Sequence, residues 1–321
     1  MKLHYLLLAT VGCAMVALGC GDDSTSTADG GGDAQYTIGL SQANLAEPYR
    51  VQMNKDIEAA VAEHSDMRLI AKDASKDSNK QRSQIEEFVS QGVDLIIISP
   101  NEPDPLTEPV ARAIEAGIPV IVLDRRLRGD RYTTFIGADN AKIGRAAGEW
   151  IKQQLPDGGN VVELEGMMST IPAQDRKRGF REAIEGSNLN VVFTADMQWE
   201  QSRAKSEMES ALSTQPQIDL VYAHNDPGAY GAYLAAQAAG RGDAIRFVGI
   251  DALPTEGRAY VQQGLLDASF EYPTGGAKAV EVARQLLVDG GEVPKEITLD
   301  SLYFTPENVT NGGQPVADLI D

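Results

Sequence analysis

Short apolar runs recur along the chain, each ending abruptly in polar residues and each followed by a stretch of helical spacing. The sharpest is Gly117-Ile118-Pro119-Val120-Ile121-Val122-Leu123-Asp124-Arg125-Arg126, mostly β-branched up to Leu123 and then an acid and two bases at once. A run this short and this apolar predicts a strand buried on both faces, hence a parallel strand flanked by helices. The same pattern predicts strands over 36–40, 67–71, 94–98, 118–123 and 134–137, and again over 161–164, 191–195, 218–222, 245–250, 268–272 and 297–304. Helical spacing runs over 49–63, 79–91, 106–116 and 143–155, then over 173–185, 203–213, 228–239, 255–263 and 276–288. In the first of these Val51, Ile57, Ala60 and Val61 share a face, and Pro48 stands near the first turn. Strict βα alternation predicts right-handed βαβ units and parallel sheets.

The two halves echo one another. The stretch from Gln91 to Pro100 has a counterpart from Gln217 to Asp226, and the Asp124 strand has one from Ala244 to Asp251. The echo is too irregular for a solenoid. It fits an α/β protein of two doubly wound parallel-sheet lobes whose strand tips face one another. In open α/β sheets ligands sit outside the carboxyl ends of the strands, which places Asp124 and Arg125 at a candidate site. A carboxylate beside a guanidinium supplies acceptors and a planar fork of donors, a combination suited to the hydroxyls of a small polyol.

Composition narrows the class. A chain of 321 residues can hold two substantial cores, and 42% hydrophobic and 23% charged residues are ordinary for a globular protein. The net charge of −19 argues against nucleic acid as a partner. A solvated acidic surface accounts for that charge without a cationic ligand. The first 20 residues read as a leader, with Lys2 followed by an apolar stretch from Leu6 to Leu18 that is short for a membrane span. The leader ends in Ala17-Leu18-Gly19-Cys20, which resembles the bacterial lipobox, with Ala17 where leucine is preferred. That resemblance implies lipidation of Cys20 and a membrane contact through the anchor alone; the alternative is ordinary signal cleavage beside an incidental cysteine. Residues 21–35, rich in Gly, Asp, Ser and Thr, form a linker with too little apolar surface to order itself. The two cysteines, Cys13 and Cys20, both fall in the leader, so the body has no thiol chemistry. No metal spacing, phosphate loop or serine elbow appears in the sequence, and no cofactor is implied.

With these residues in view, the stretch from Tyr36 to Phe304 resembles periplasmic sugar-binding proteins of the ribose-binding type. Five motifs in order carry the likeness: Asp124-Arg125 closing a buried strand, Ile136-Gly137-Ala138-Asp139-Asn140, Arg176 within 175–180, His224-Asn225-Asp226, and Val248-Gly249-Ile250-Asp251. The resemblance implies three hinge crossings, near Ala138, Glu271 and Leu299. One lobe is then 36–138 with 272–299, and the other 139–271 with 300–321. It implies a monosaccharide held by Asp124 and Arg125 from the first lobe and by Arg176, Asn225 and Asp251 from the second, with Trp199 and Tyr49 on its apolar faces. Glu47-Pro48-Tyr49-Arg50 stands where ribose binders carry Asn-Pro-Phe-Phe, Glu271 replaces a glutamine near the hinge, and Ser41-Gln42 with Arg50 is closer to the galactofuranose-binding branch.

The residues taken alone leave alternatives. Asp124 and Arg125 could pair with each other, Arg176 could be one charge among its charged neighbours, and Tyr49 and Trp199 could be core. Asn225 could cap a helix, with Asp226 the better candidate for that role. Glu47, Arg50 and Glu271 are weaker candidates. The expected function is an extracytoplasmic, non-enzymatic, monomeric solute-binding lipoprotein that delivers a monosaccharide (ribose-, galactofuranose- or hexose-like) to an ABC permease. A sensor that presents sugar to a chemoreceptor or histidine kinase would use the same clamp. A glycosidase built on Asp124 and Asp251 is a third reading, and a repressor would need a DNA-reading helix pair where the leader stands.

Overall fold

The computed structural model describes residues 34–320; Cys20 and nearly all of the expected linker lie outside the described residues. The chain opens with β1 (Tyr36–Gln42), α1 (Pro48–Ala62), β2 (Met67–Asp73), α2 (Ser78–Gln91), β3 (Leu95–Ser99), α3 (Pro103–Glu115), β4 (Val120–Leu123) and β5 (Thr134–Ala138). It continues through α4 (Asn140–Gln154), β6 (Gly159–Glu165), α5 (Ile171–Ile184), β7 (Leu189–Asp196), α6 (Gln201–Thr214), β8 (Leu220–Ala223), α7 (Asp226–Ala238), β9 (Arg246–Asp251), α8 (Gly257–Gln262) and β10 (Ala268–Glu271). It ends with α9 (Gly276–Leu287), β11 (Glu296–Leu299), β12 (Leu302–Phe304) and β13 (Gln314–Pro315).

These strands form two sheets, in the orders β11-β5-β4-β3-β1-β2 and β13-β12-β10-β9-β8-β6-β7. The first is wholly parallel, and the second is parallel from β10 to β7 with an antiparallel edge of β12 and β13. The chain passes between the sheets after Ala138, after Glu271 and after Leu299.

The apolar runs are continuous because each central strand has helices on both faces. In β3, Leu95 and Ile97 pack with α1 and α9, whereas Ile96 and Ile98 pack with α2 and α3. In the second sheet Val161, Leu220 and Tyr222 face α4 and α5, while Val162, Val221 and Ala223 face α6 and α7. Both sheets reverse winding at one point, between β1 and β3 and between β6 and β8, where carboxyl-end crevices open.

Three expectations change in detail. The single last strand over 297–304 is two strands on different sheets, because a sheet crossing passes through Asp300 and Ser301. The third helix begins at Pro103 rather than Leu106; Pro103 fits its first turn, where an N–H would have no partner. The helix expected over 255–263 shortens to Gly257–Gln262.

Helices α4 and α5 approach backbone to backbone. A side chain at Gly144 would overlap the Arg176 carbonyl, and one at Gly179 would overlap the Ala141 carbonyl. Gly144→Ala should therefore push α5 away and lower the unfolding free energy by about 1–3 kcal/mol, read from urea melts.

Candidate functional site

The carboxyl ends of the two sheets border a cavity, partly open to solvent, lined by Glu47, Pro48, Tyr49, Arg50, Asp124, Arg125, Pro172, Arg176, Trp199, Asn225, Pro227 and Asp251. Nine of the ten ligand-site candidates from the sequence meet here: Glu47, Tyr49, Arg50, Asp124, Arg125, Arg176, Trp199, Asn225 and Asp251. Glu271 does not. It lies on the hinge side, ion-paired with Arg258. As the last residue of β10 it pairs in register with Asp251, yet its side chain lines a different pocket.

Backbone conformation aims the key side chains. Asp124 (φ 69°), Trp199 (φ 64°) and Asp251 (φ 119°) all sit at positive φ, which L-residues rarely adopt. Such conformations cost on the order of 1–3 kcal/mol each and persist only where surrounding contacts impose them. At Asp124 the contacts are clear: its N–H donates to Ile136 O (3.0 Å) and its carbonyl accepts from Tyr272 Oη (3.1 Å).

On the first lobe, Arg50 is only 1% exposed and its guanidinium is committed to protein groups. It donates to Gln42 Oε1 (2.9 Å), Ser99 Oγ (2.6 Å), Asp124 Oδ2 (2.9 Å) and Glu47 Oε2 (3.2 Å). Arg50 thus holds two cavity carboxylates in place. Arg125 makes one hydrogen bond, Nη1 to Asn101 O (2.8 Å), and stands 3.7 Å from Glu47. That second contact is an ion pair through Nη2, and Arg125 also lines the cavity. Burial would raise the Glu47 pKa, but Arg50 and Arg125 outweigh it and hold this carboxyl below its ordinary range. Burial, then the neighbouring Arg50 charge, pulls Arg125 down to about 10, so it still carries its proton at neutral pH. Tyr49 donates to Pro273 O (3.1 Å) and meets Tyr272 edge-on, with ring centroids 5.8 Å apart.

On the second lobe, Arg176 donates through Nε to Asn140 Oδ1 (2.8 Å) and through Nη1 to His224 O, and Nη1 stands 3.6 Å from Asp251 Oδ1. Burial pushes Asp251 up to about 8, with Arg176 pulling the other way. Asn225 caps α7 by accepting from Gly228 N (2.9 Å), and its Nδ2 donates to Trp199 O (3.1 Å). The cap is therefore Asn225 and not Asp226. Asp226 is fully buried, accepting from Ala252 N (2.7 Å) and Ser269 Oγ (2.6 Å), which ties β9 and β10 behind the site. The Trp199 ring lies within cation–π distance of two guanidiniums, Arg125 of the first lobe at 5.9 Å and Arg176 of the second at 5.5 Å from its centroid.

Sequence reasoning missed Pro172 and Pro227. With Pro48 they occupy the first turns of α5, α7 and α1, whose N-termini all point at the cavity. Proline replaces an N–H by a ring, so these helix ends offer the cavity C–H surface where others would offer anion donors. A proline at the first or second position of a helix that follows a polar strand exit was the available signal.

The seat of Trp199 depends on Gly166, because any side chain there would overlap the indole ring. Gly166→Ala should displace the ring, shift Trp199 fluorescence and lower stability by about 1–3 kcal/mol. A second outcome concerns Asp251. Its folded pKa, about 8, lies above its ordinary 3.8, so the folded chain keeps a proton that the unfolded chain has released. The stability it contributes is whole below about pH 4 and is lost as pH rises through about 8. The unfolding free energy of Asp251→Asn minus that of wild type should grow across that window and level off above it; a flat difference would remove the assignment.

A family model for the periplasmic binding protein domain matches residues 38–292. The ribose import binding protein of Bacillus subtilis (strain 168) is 34% identical over 221 residues, covering 69% of this chain and 71% of that protein. The galactofuranose-binding protein of Escherichia coli (strain K12) is 31% identical over 285 residues, covering 85% of this chain and 89% of its own. Among solved structures, the fructose-binding periplasmic domain of a hybrid two-component system is 40% identical with a TM-score of 0.82, covering 86% of this chain and 92% of that one. With its two parallel-sheet lobes and a cavity between their strand tips, the chain belongs to the type I periplasmic sugar-binding protein family.

Proposed function

We propose that this chain is an extracytoplasmic solute-binding lipoprotein, anchored through Cys20, that captures one uncharged monosaccharide between its lobes for an ABC importer. The observation that carries this reading is the balance of the cavity. Three carboxyl groups (Glu47, Asp124 and Asp251, the last keeping its proton up to about pH 8) meet three guanidiniums (Arg50, Arg125, Arg176) as acceptors and donors, and proline covers the helix ends. Each lobe also keeps one carboxyl group and one guanidinium with bonding capacity to spare: Asp124 with Arg125, and Asp251 with Arg176. A sugar hydroxyl donates and accepts at once, so such a pair satisfies neighbouring hydroxyls in both senses with charge-assisted bonds. Ligand faces rich in C–H would meet Trp199 and Tyr49. Contacts from both lobes make closure the ligand-favoured arrangement, with segments 36–138 and 272–299 moving against 139–271 and 300–321. Relatives that import ribose and bind galactofuranose support a monosaccharide.

A second reading has a specific basis. The fructose-binding domain at 40% identity belongs to a two-component system, so the same clamp could report sugar to a kinase instead of a permease. Catalysis by Asp124 and Asp251 has less support, since Asp124 already accepts from Arg50 and Ser99.

A thermal-shift panel of pentoses, hexoses in both ring forms and inositols tests the reading. A micromolar ligand, about −8 kcal/mol of binding, adds about 2.7 kcal/mol of stability at a hundredfold excess over Kd. Arg125→Ala and Asp251→Ala should each weaken that ligand by roughly tenfold to hundredfold, read by calorimetry, while Glu271→Gln stays within about twofold. A panel without any shift, or turnover of a glycoside, would sink the proposal.

A further inference from the structure

Asn101, just past β3, is 5% exposed and is a hub between the cavity and the cleft rim. Its N–H donates to Gln81 Oε1 (2.8 Å) and its carbonyl accepts from Arg125 Nη1 (2.8 Å). Its side-chain Nδ2 donates to Lys76 O (3.1 Å) and Ser78 Oγ (3.0 Å). Gln81 fixes the hub to the sheet, because its Nε2 also donates to Ser41 O (3.2 Å) and Ser99 O (2.9 Å) at the ends of β1 and β3. One asparagine therefore holds the ligand-facing Arg125 through its backbone and the loop that carries Lys76 through its side chain.

That loop is shaped to present Lys76. Ser75 (φ 55°) and Lys76 (φ 65°) are consecutive non-glycine residues in the left-handed region, a costly arrangement that outside contacts must hold. Besides Asn101, those contacts are Lys76 N to Ala43 O (2.8 Å) and Ser75 N to Asp73 Oδ1 (2.7 Å). The outcome is a contact across the cleft: Lys76 Nζ stands 2.7 Å from Glu200 Oε1. Glu200 follows Trp199 directly and precedes the first turn of α6 on the other lobe. The side chains are 32% and 47% exposed, so the pair is weak, reversible and screened by salt.

We propose that Asn101 is a positioning residue that sets both Arg125 and the cross-cleft ion pair Lys76–Glu200, and that this pair latches the lobes in their closed arrangement. The proposal rests on reading the cleft as a closing capture site. A pair of this exposure biases the closed state without locking it, which suits a protein that must release what it holds.

The test needs no ligand. Single-molecule energy transfer is measured between dyes at Ser90→Cys on α2 and Ser210→Cys on α6, in the full chain with Cys13 and Cys20 replaced by serine. The closed-to-open ratio should fall roughly twofold to fivefold between about 0.05 M and about 1 M sodium chloride. Lys76→Glu should show the same fall already at low salt, and Lys76→Glu with Glu200→Lys should restore the wild-type ratio. Asn101→Ala should flatten the salt dependence in a chain that still melts cooperatively, an effect that general loosening of the fold would not produce. Asn101→Asp keeps the side-chain size and loses both donors, so it gives the same readout should the alanine variant not fold. Closure indifferent to salt, a swapped pair that restores nothing, or a full salt slope in the Asn101 variants would each overturn the proposal. A failed sugar panel beside an intact latch would sink only the capture reading.

Discussion

The structure depends on one buried cation. Arg50 is shut away from water, and an unpaired guanidinium there would be prohibitively unstable. Its partners are Gln42 at the end of β1, Glu47 before α1, Ser99 at the end of β3 and Asp124 past β4. The ends of β1, β3 and β4 are neighbours in the parallel sheet but distant in sequence, and nothing in strand pairing alone would fix how their exits sit relative to one another. Arg50 does that. It converts ragged strand ends into a rigid floor, and the left-handed backbone at Asp124 is tolerable because the floor and the Tyr272 hydroxyl over-determine it.

The second lobe reaches the same result with different chemistry. There the buried bridging group is a carboxyl, Asp226, which joins the first turn of α7 to Ala252 and Ser269. Burial, and next the nearby Asp251, push the Asp226 carboxyl well above its ordinary range. Backbone at positive φ again marks the tip that carries the cavity carboxylate, Asp251. Two lobes of similar winding thus hold equivalent aspartates at equivalent strand ends, one braced by a cation and the other by a buried carboxyl group. Function at strand tips constrains where a carboxylate stands more tightly than how it is supported.

Much of this was legible in the sequence, for physical reasons. Strands such as β3 and β4 are covered on both faces, so their apolar runs are unbroken and their polar exits are abrupt. That contrast located Asp124, Arg125 and Asp251 directly. The support layer was not legible. Gln81, Asn101 and Ser99 are ordinary polar residues in sequence, and only folding shows them buried with their hydrogen bonds turned toward strand ends. Glu271 and Asn225 show the complementary limit. A residue at a strand end has two sides to face, and for Glu271 the choice went to Arg258 in a pocket beside the hinge. Asn225 lines the cavity and caps its helix with the same side chain, so the two roles weighed from sequence are not exclusive.

Tyr272 joins the cavity groups of the two lobes at a crossing between the sheets. It sits one residue past β10, at a crossing between sheets, and is 1% exposed. Its hydroxyl donates to the Asp124 carbonyl, its ring meets Tyr49 edge-on, and Arg176 of the opposite lobe lies 5.1 Å from its centroid. A residue at this crossing that touches the cavity groups of both lobes cannot rotate without disturbing them. Bending the crossing would loosen the strained tip at Asp124 and withdraw Arg176 from the ring face together. On the capture reading, a small polyol bridging Asp124 and Arg176 would therefore select one conformation of this crossing without touching it.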